Sequence, residues 1–311
     1  MANEILFSTL SGNARVSAVL HQTIIEKLAD TASLVNHPSI LQFGGMNGMG
    51  SSALQVPVVG LNGTDAMAAV ADGSSVSNTA ITTGSATITI ARQALRRQIS
   101  DLAQLTNNVA GGMGVSVDGL AEDMVAAYNK RVTSMLCALS SGLSTSVGAT
   151  GVNLSVSYFY DAIFALQLQA NDGMFTAVLH PQQVNDLISS LRSETGPGQY
   201  LATTQDQVTA KGRGYRGNLF GVDIFSSTLV PTANAGADYL GMMFAPGCLG
   251  IATGTPAPIM GAGGVILQPG TPIVVELERD SAAGLTQLVG SAYVGVAEIQ
   301  DLKGVGILSD F

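Results

Sequence analysis

The sequence predicts an α+β protein with three distinct parts: a long helix, a projecting two-stranded ribbon and a region of alternating helices and strands. The helix is predicted over 117–141, where apolar residues recur every three or four positions along one face. The ribbon is predicted from two runs with strand periodicity, 54–59 and 86–92. From residue 156 onward, helical and strand patterns alternate.

The N-terminal third is predicted to contain a helix followed by the ribbon. Helical periodicity covers 14–31, and His37-Pro38 ends this region because a residue before proline avoids helical backbone angles. Pro57 cannot donate a ladder hydrogen bond, so its strand is expected at a sheet edge or in a projecting ribbon. An isolated two-stranded ribbon is marginally stable in water and needs a surface to lie on.

The helix 117–141 is the strongest helical signal in the chain. Its apolar stripe consists of Leu120, Met124, Tyr128, Val132, Met135 and Leu139. A helix of this length spans about 35–40 Å, which suits a structural spine better than a compact active site. A shorter helix, capped by Ser100-Asp101 and ending near Leu105, is predicted just before it.

After a Ser-, Gly- and Thr-rich boundary at 142–153, the alternating region begins. A helix over 156–170 is followed by a strand over 174–179, and His180-Pro181 opens another helix with proline at its first position. The remaining strands are predicted at 218–225, 239–244, 272–280 and within 287–309, the last returning to an earlier sheet.

The composition indicates a large core and a surface with few charges. Apolar residues make up 46% and charged residues 11% of the 311 positions, a balance that fits an obligate assembly. The net charge of −9 argues against tight nucleic-acid binding over the whole surface, although it permits a protein that encloses nucleic acid. No signal peptide is expected in residues 1–16, and prolines exclude a membrane span in the uncharged stretch 239–275.

The glycines of 44–59 resemble a dinucleotide-binding fingerprint, since Gly48, Gly50 and Ala53 match G-x-G-x-x-A. That motif needs a helix directly after the glycines, whose N-terminus binds the pyrophosphate. Here a strand pattern with a proline follows instead. The interpretation favoured is a flexible connection, with a nucleotide-dependent enzyme as the weaker alternative.

No other convincing catalytic constellation is present. Cys137 and Cys248 are interpreted as buried free thiols, and His180 as a residue held by the helix start that follows it. The densest basic cluster is Arg92, Arg96 and Arg97, for which salt bridges within the chain or to a neighbour are expected. We therefore predict no catalysis, no cofactor and no metal.

The order of the elements resembles that of the major capsid protein of tailed bacteriophages, the Hong Kong 97-like fold. The matching stretches, from Ala53 to Val296, are ALQVPVVG, SATITIARQALRRQISDLAQLT, LAEDMVAAYNKRVTSML, FTAVLHPQQVNDLISSL, YRGNLFGVDIFSSTLVP, MMFAPGCLGIAT and VVELERDSAAGLTQLVGSAYVGV. Each stretch is loose as a pattern, whereas their order and spacing together are specific.

The resemblance implies a division of the chain into five parts. These are an N-terminal arm over 1–50, an extended loop over 51–99, a peripheral domain with the spine helix over 100–153, an axial domain over 154–271 and a return to the peripheral domain over 272–311. Some members of the family form covalent crosslinks from a lysine in the extended loop. Residues 51–99 contain no lysine, so no such crosslink is expected.

The resemblance further implies a shell of hexamers and pentamers around double-stranded DNA, assembled in the host cytoplasm and forming part of the virion. The implied partners are copies of the chain itself, a separate scaffolding protein, a portal and cement proteins. The main alternative is an encapsulin-type nanocompartment, which shares the fold but encloses protein cargo. A surface-layer protein or adhesin is a third alternative, and it would need an export signal.

Two sets of residues are assigned roles in this interpretation. The candidates for contacts between subunits are Asp65, Asp72, Arg92, Arg96 and Arg97. The candidates for a hinge between arm and extended loop are Gly44, Gly45, Gly48 and Gly50, because glycine tolerates backbone angles that other residues avoid.

Overall fold

A computed structural model gives the architecture of the chain. It describes residues 34–44, 51–59, 69–70, 72, 74–76, 83–100, 117–169, 171, 173–194, 214–254, 265–266 and 273–310. The strands are β1 (Leu41–Phe43), β2 (Ala53–Val59), β3 (Thr83–Thr89), β4 (Ala91–Ser100), β5 (Ser146–Gly148), β6 (Phe175–Leu179), β7 (Tyr215–Leu219), β8 (Val222–Ser226), β9 (Thr232–Ala233), β10 (Asp238–Phe244), β11 (Leu249–Gly254), β12 (Val265–Ile266), β13 (Ile273–Asp280), β14 (Leu285–Glu298) and β15 (Gly304–Asp310). The helices are α1 (Val117–Ala138), α2 (Val156–Leu168) and α3 (Pro181–Glu194).

The described strands form two large sheets and one ribbon. The six-stranded sheet has the order β1-β11-β14-β13-β12, with β4 on the other side of β14. The seven-stranded sheet has the order β5-β15-β10-β6-β8-β7, with β9 added to β10. The ribbon is the antiparallel pair β2–β3. The predicted α+β class is confirmed.

Three of the predicted helices lie in the described part of the chain, and their ends follow from local sequence. Ser155 caps α2 by accepting a hydrogen bond from the Tyr158 amide. Pro181 occupies the first position of α3, where its missing N–H costs nothing. A 3-10 turn, Leu139–Ser141, continues α1 to the predicted end of the spine helix.

Both faces of the seven-stranded sheet are buried, since successive side chains of a strand point to opposite sides. On one face, Ala177 of β6 and Met243 of β10 pack with α2 and α3. On the other, Val178 and Met242 belong to a core shared with the C-terminal half of α1. That second core also contains Val294 of β14, so it joins the two sheets.

The ribbon is anchored at its base and exposed further out. Ile88 of β3 is fully buried in a small cluster with Ala252 and Ile299. Near the other end, Pro57 lies opposite Ser85 and both are exposed. The backbone of β3 passes so close to β14 that a Cβ at Gly295 would lie 2.2 Å from the Thr89 carbonyl oxygen.

Two sheet pairings add to what the strand patterns predicted. Residues 91–99, assigned to the extended loop, belong to β4, which pairs with β14 over Ala91–Ser100. Ser100 is the last residue of this strand, and the residues that follow it lie outside the described range. The final strand, β15, pairs with β10 in the seven-stranded sheet, whereas β13 and β14 lie in the other sheet.

Both pairings join segments far apart in the sequence, which local patterns do not specify. The predicted helix over 14–31 and the short helix through Leu105 lie outside the described residues. The five-part division of the chain stays a prediction.

We expect Gly295→Ala to destabilise the chain by about 1–3 kcal/mol, because its Cβ would collide with the Thr89 backbone. Chemical denaturation of the unassembled chain measures this change. Gly84→Ala is the matched control, since a Cβ at that ribbon position meets nothing within 4 Å. Equal unfolding free energies for the two variants would contradict the close approach of β3 to β14.

Candidate assembly surface

The predicted arginine cluster lies on β4, an edge strand of the six-stranded sheet among the described strands. It pairs with β14 in register, with Arg97 opposite Leu288 and Arg92 opposite Tyr293. Charged side chains are common on edge strands because they discourage uncontrolled strand addition. The cluster therefore lies at a sheet edge that no other described strand covers.

Arg97 forms an ion pair with Asp123 of α1, the predicted spine helix. Its Nε donates to Asp123 Oδ2 at 2.7 Å and its Nη2 donates to Asp123 Oδ1 at 3.0 Å. This bidentate hydrogen bond from Arg97 holds the pKa of Asp123 below its usual value. Gln93 lies on the same face of β4, four residues before Arg97. Its Oε1 accepts a hydrogen bond from Arg131 Nε of α1 at 2.9 Å.

Arg92 and Arg96 occupy the alternate positions of β4, on the face opposite to Arg97. Arg92 donates to Ser291 Oγ from Nη2 at 2.8 Å and from Nε at 3.1 Å. Arg96 is exposed and has no polar partner among the described residues. Of the three arginines, only Arg97 is paired with an acid among the described residues, and Arg96 is the one that has no polar partner there.

The other predicted site residues are only partly described. Asp72 is exposed, and Asp65 lies outside the described residues. Gly44 has open space around its Cβ position and no left-handed φ, so its described conformation does not require glycine. Gly45, Gly48 and Gly50 lie outside the described residues, and their role as a hinge stays a prediction. The strand β2 follows these glycines, as the sequence pattern predicted.

A cavity of about 290 Å³ separates α1 from the six-stranded sheet. Its lining includes Met124 and Tyr128 from α1, Leu95 from β4 and Gly290 from β14. Burial raises the pKa of Tyr128 to about 12, so its hydroxyl stays protonated at neutral pH. The lining residues that the structure describes include no carboxylate and no histidine.

A carboxyl pair lies where the chain passes from one large sheet to the other. Asp301 accepts a hydrogen bond from the Ser144 amide at 2.8 Å and another from the Ser144 hydroxyl. Glu298, at the end of β14, lies beside it, and a Cβ at Gly142 would be 3.2 Å from Glu298 Oε2. Burial and the neighbouring Asp301 raise the pKa of Glu298 to about 7.

The two cysteines and His180, which the sequence offered as candidates for chemistry, are held in packed or hydrogen-bonded positions. Cys137 and Cys248 are buried free thiols, and burial raises the pKa of Cys137 to about 12 and that of Cys248 still further. The His180 ring stacks on Tyr239 with centroids 3.7 Å apart, and its Nδ1 accepts a hydrogen bond from the Gln182 amide. No group of three metal-ligating side chains occurs in the part of the chain that the structure describes. Among those same residues, no helix is both long and apolar enough to cross a membrane.

Two features of this surface depend on contacts that local sequence patterns do not show. Asp123 as the partner of Arg97 depends on a contact across 26 residues that no local pattern encodes. The carboxyl pair was visible as two acids three residues apart, Glu298 and Asp301, but their burial depends on the turn after α1.

No protein-family model and no curated protein matches the sequence. Solved structures do match in fold. The capsid of Ralstonia phage GP4 aligns with a TM-score of 0.59 at 11% identity, over 88% of this chain and 87% of that one. The capsid of cyanophage P-SCSP1u aligns with a TM-score of 0.55 at 14% identity, over 89% and 88%.

An encapsulin matches as well. The holo-SrpI encapsulin complex from Synechococcus elongatus aligns with a TM-score of 0.58 at 10% identity, over 86% of this chain and 84% of that one. Identities this low establish the fold alone. The structural matches confirm the Hong Kong 97-like capsid fold over nearly nine-tenths of the chain.

We expect Arg96→Ala to lower the yield of assembled particles and leave the unfolding midpoint of the single chain unchanged. The reason is that Arg96 is exposed on the edge strand with no polar partner among the described residues. Sedimentation of assembly reactions measures the yield. Gln98→Ala, on the same face of β4, is the uncharged control; equal yields for both variants and the unaltered chain would refute a role for Arg96 between subunits.

We expect the stability of the chain to fall as the pH rises from about 4.5 to about 7. Glu298 keeps its proton in the folded state up to a pKa of about 7, whereas the unfolded group loses it near 4.5. The folded state therefore binds the extra proton in this window, and its stabilisation is fully lost above pH 7. Since solvent screens a partly exposed carboxyl, the change should be on the order of 1 kcal/mol.

Denaturant unfolding at several pH values tests this expectation in Glu298→Gln, which should flatten the profile between pH 4.5 and 7. Asp301→Asn should reduce the fall without abolishing it, because it removes one of the causes of the raised pKa. A Glu298→Gln profile as steep as that of the unaltered chain would show that Glu298 does not titrate in this range.

Proposed function

We propose that this chain is the major capsid protein of a tailed bacteriophage, which assembles as hexamers and pentamers into an icosahedral shell enclosing double-stranded DNA. The observation that carries the proposal is the match in fold over nearly nine-tenths of the chain to phage capsids. In this proposal the chain has no catalytic activity, and its work is the burial of surface against neighbouring copies.

The β2–β3 ribbon supports a role in contacts between copies. Its base is fixed against the six-stranded sheet by Ile88 and by the close approach at Gly295. Further out, Gln55, Pro57, Gly84 and Ser85 are exposed. A ribbon that is anchored at one end and uncovered at the other suits a projection that lies on a neighbouring subunit.

Assignments beyond the shell itself are part of the proposal. The chain divides into an arm, an extended loop, a peripheral domain and an axial domain, and it acts in the virion after assembly in the host cytoplasm. Its partners are a scaffolding protein, a portal and cement proteins. In the proposal the shell encloses DNA without sequence-specific binding. The net charge of −9 argues against tight binding to phosphates over the whole surface, which would require clustered basic residues.

An encapsulin-type shell is the second candidate, and the likeness to the SrpI encapsulin favours it. The two candidates differ in what the shell contains, packaged DNA or packaged protein. A nucleotide-dependent enzyme has no comparable support, because β2 stands where the fingerprint requires a helix N-terminus.

Expression of the chain with the neighbouring genes of its source, followed by negative-stain microscopy, tests the proposal. We expect closed shells whose DNA resists nuclease until the shell is opened. Closed shells that hold a protein cargo and no protected DNA would favour the encapsulin candidate. A chain that stays monomeric under all conditions tried would contradict both candidates.

A further inference from the structure

Helix α2 has apolar residues on both its buried and its exposed faces. Phe159, Ala162 and Leu166 face the core and are fully buried. On the outer side, Tyr160, Phe164 and Leu168 leave 48%, 59% and 68% of their surface exposed. A helix that is apolar all round is normally buried on every side. The part of the chain that the structure describes covers only one side of this helix.

The exposed residues form a continuous stripe. Positions 160, 164 and 168 are spaced four apart, so they stack along one side of the helix over about 12 Å. Met174, just beyond the helix, is 60% exposed. We call these four side chains the α2 stripe. They expose on the order of 400 Å² together, comparable to the largest apolar patch on a typical monomer.

One end of the α2 stripe is held rigidly. The ring of Tyr160 packs on that of Phe220, with centroids 4.3 Å apart. Phe220 and Gly221 both have positive φ, as in the tightest hairpin turns, and Asn218 Oδ1 accepts a hydrogen bond from the Gly221 amide. A non-glycine residue with positive φ is uncommon. The turn therefore fixes this end of the stripe before any partner arrives, which lowers the entropic cost of binding.

The chemistry of the stripe argues against a membrane or a small ligand as its occupant. Helices that lie on a membrane carry Lys or Arg on their polar face, whereas the single charged residue of α2 is Asp161. Small ligands bind in concave pockets, and a stripe on the outer side of a helix is convex. An apolar surface poor in charge is instead typical of the centre of an interface between identical subunits.

The area also fits a copy of the same chain. A stable interface buries about 800 Å² on each partner, so the stripe would supply about half of one side. Every copy in a closed ring presents the same stripe to the next copy, in a head-to-tail contact that involves a different surface of the neighbour. A chain with only 11% charged residues has much surface suited to such contacts.

We propose that the α2 stripe is covered by a neighbouring copy of this chain within one ring of the shell. This inference rests on the proposed function and assigns it a surface that the ribbon and the arginines of β4 do not include. The stripe is a hydrophobic contact, so its strength should depend little on salt.

Substitution of the stripe tests the proposal. Phe164→Gln and Leu168→Gln should each raise the protein concentration needed for assembly by about tenfold or more, because a large apolar side chain loses its burial. Phe164→Leu keeps the position apolar and should assemble nearly as the unaltered chain does. Thermal unfolding of the unassembled chains should give the same midpoint for all three variants, since positions 164 and 168 are exposed.

A photo-crosslinking benzoylphenylalanine at position 164 identifies the occupant directly, even if a Gln variant folds poorly. We expect a dimer of this chain whose crosslinked peptide comes from a second copy. Crosslinks to another protein alone, or unchanged assembly of Phe164→Gln, would overturn the inference and leave the proposed function intact. Failure of the unaltered chain to assemble at all would overturn both.

Discussion

Two linkers cross from one large sheet to the other, and they hydrogen-bond to each other beside the core that joins the sheets. One linker, 245–248, joins β10 to β11, and the other, 299–303, joins β14 to β15. The Cys248 carbonyl accepts hydrogen bonds from the amides of Ile299 and Gln300, and the Lys303 carbonyl accepts one from Ala245. The linkers thus form a joint that fixes where each sheet ends.

The joint has little room, and the spine helix depends on it. A Cβ at Gly304 would lie 2.4 Å from a methyl of Leu143 and 2.8 Å from Cys248 Sγ. The turn after α1 therefore packs directly on the joint, and the core beneath it is made from α1 and both sheets. Because Asp301 also binds Ser144 in that turn, a change of charge at Glu298 acts where the helix and both sheets meet.

Much of this fold could be predicted from sequence wherever a single segment carries the information. The periodicity of α1, the proline that opens α3 and the strand pattern around Pro57 each specify an element without reference to any other. The pairing of β4 with β14 could not be inferred in this way. The charged residues of β4 suggested the base of the ribbon. Because β14 is 14 residues long, it pairs with β4 along one side and with β13 and then β11 along the other.

The candidate surface was predictable in the same uneven way. Arg92, Arg96 and Arg97 were recognised as a cluster, but strand alternation places Arg97 against α1 and Arg96 on the opposite face. Their different surroundings are a consequence of sheet packing, which the sequence shows only once β4 is known to be a strand. The outer stripe of α2 was likewise hidden, since a periodic apolar pattern does not say which of two apolar faces the chain itself will cover.

A shell fold shared at 10–14% identity is physically reasonable, because its stability rests on few chemically specific groups. The cores here are built from aliphatic and aromatic side chains, which tolerate exchange when volume is conserved. The specific requirements are close backbone approaches, at Gly148, Gly295 and Gly304, where a side chain would strike a neighbouring strand or turn. These are single glycines scattered along the chain, so they form no motif that a sequence comparison detects.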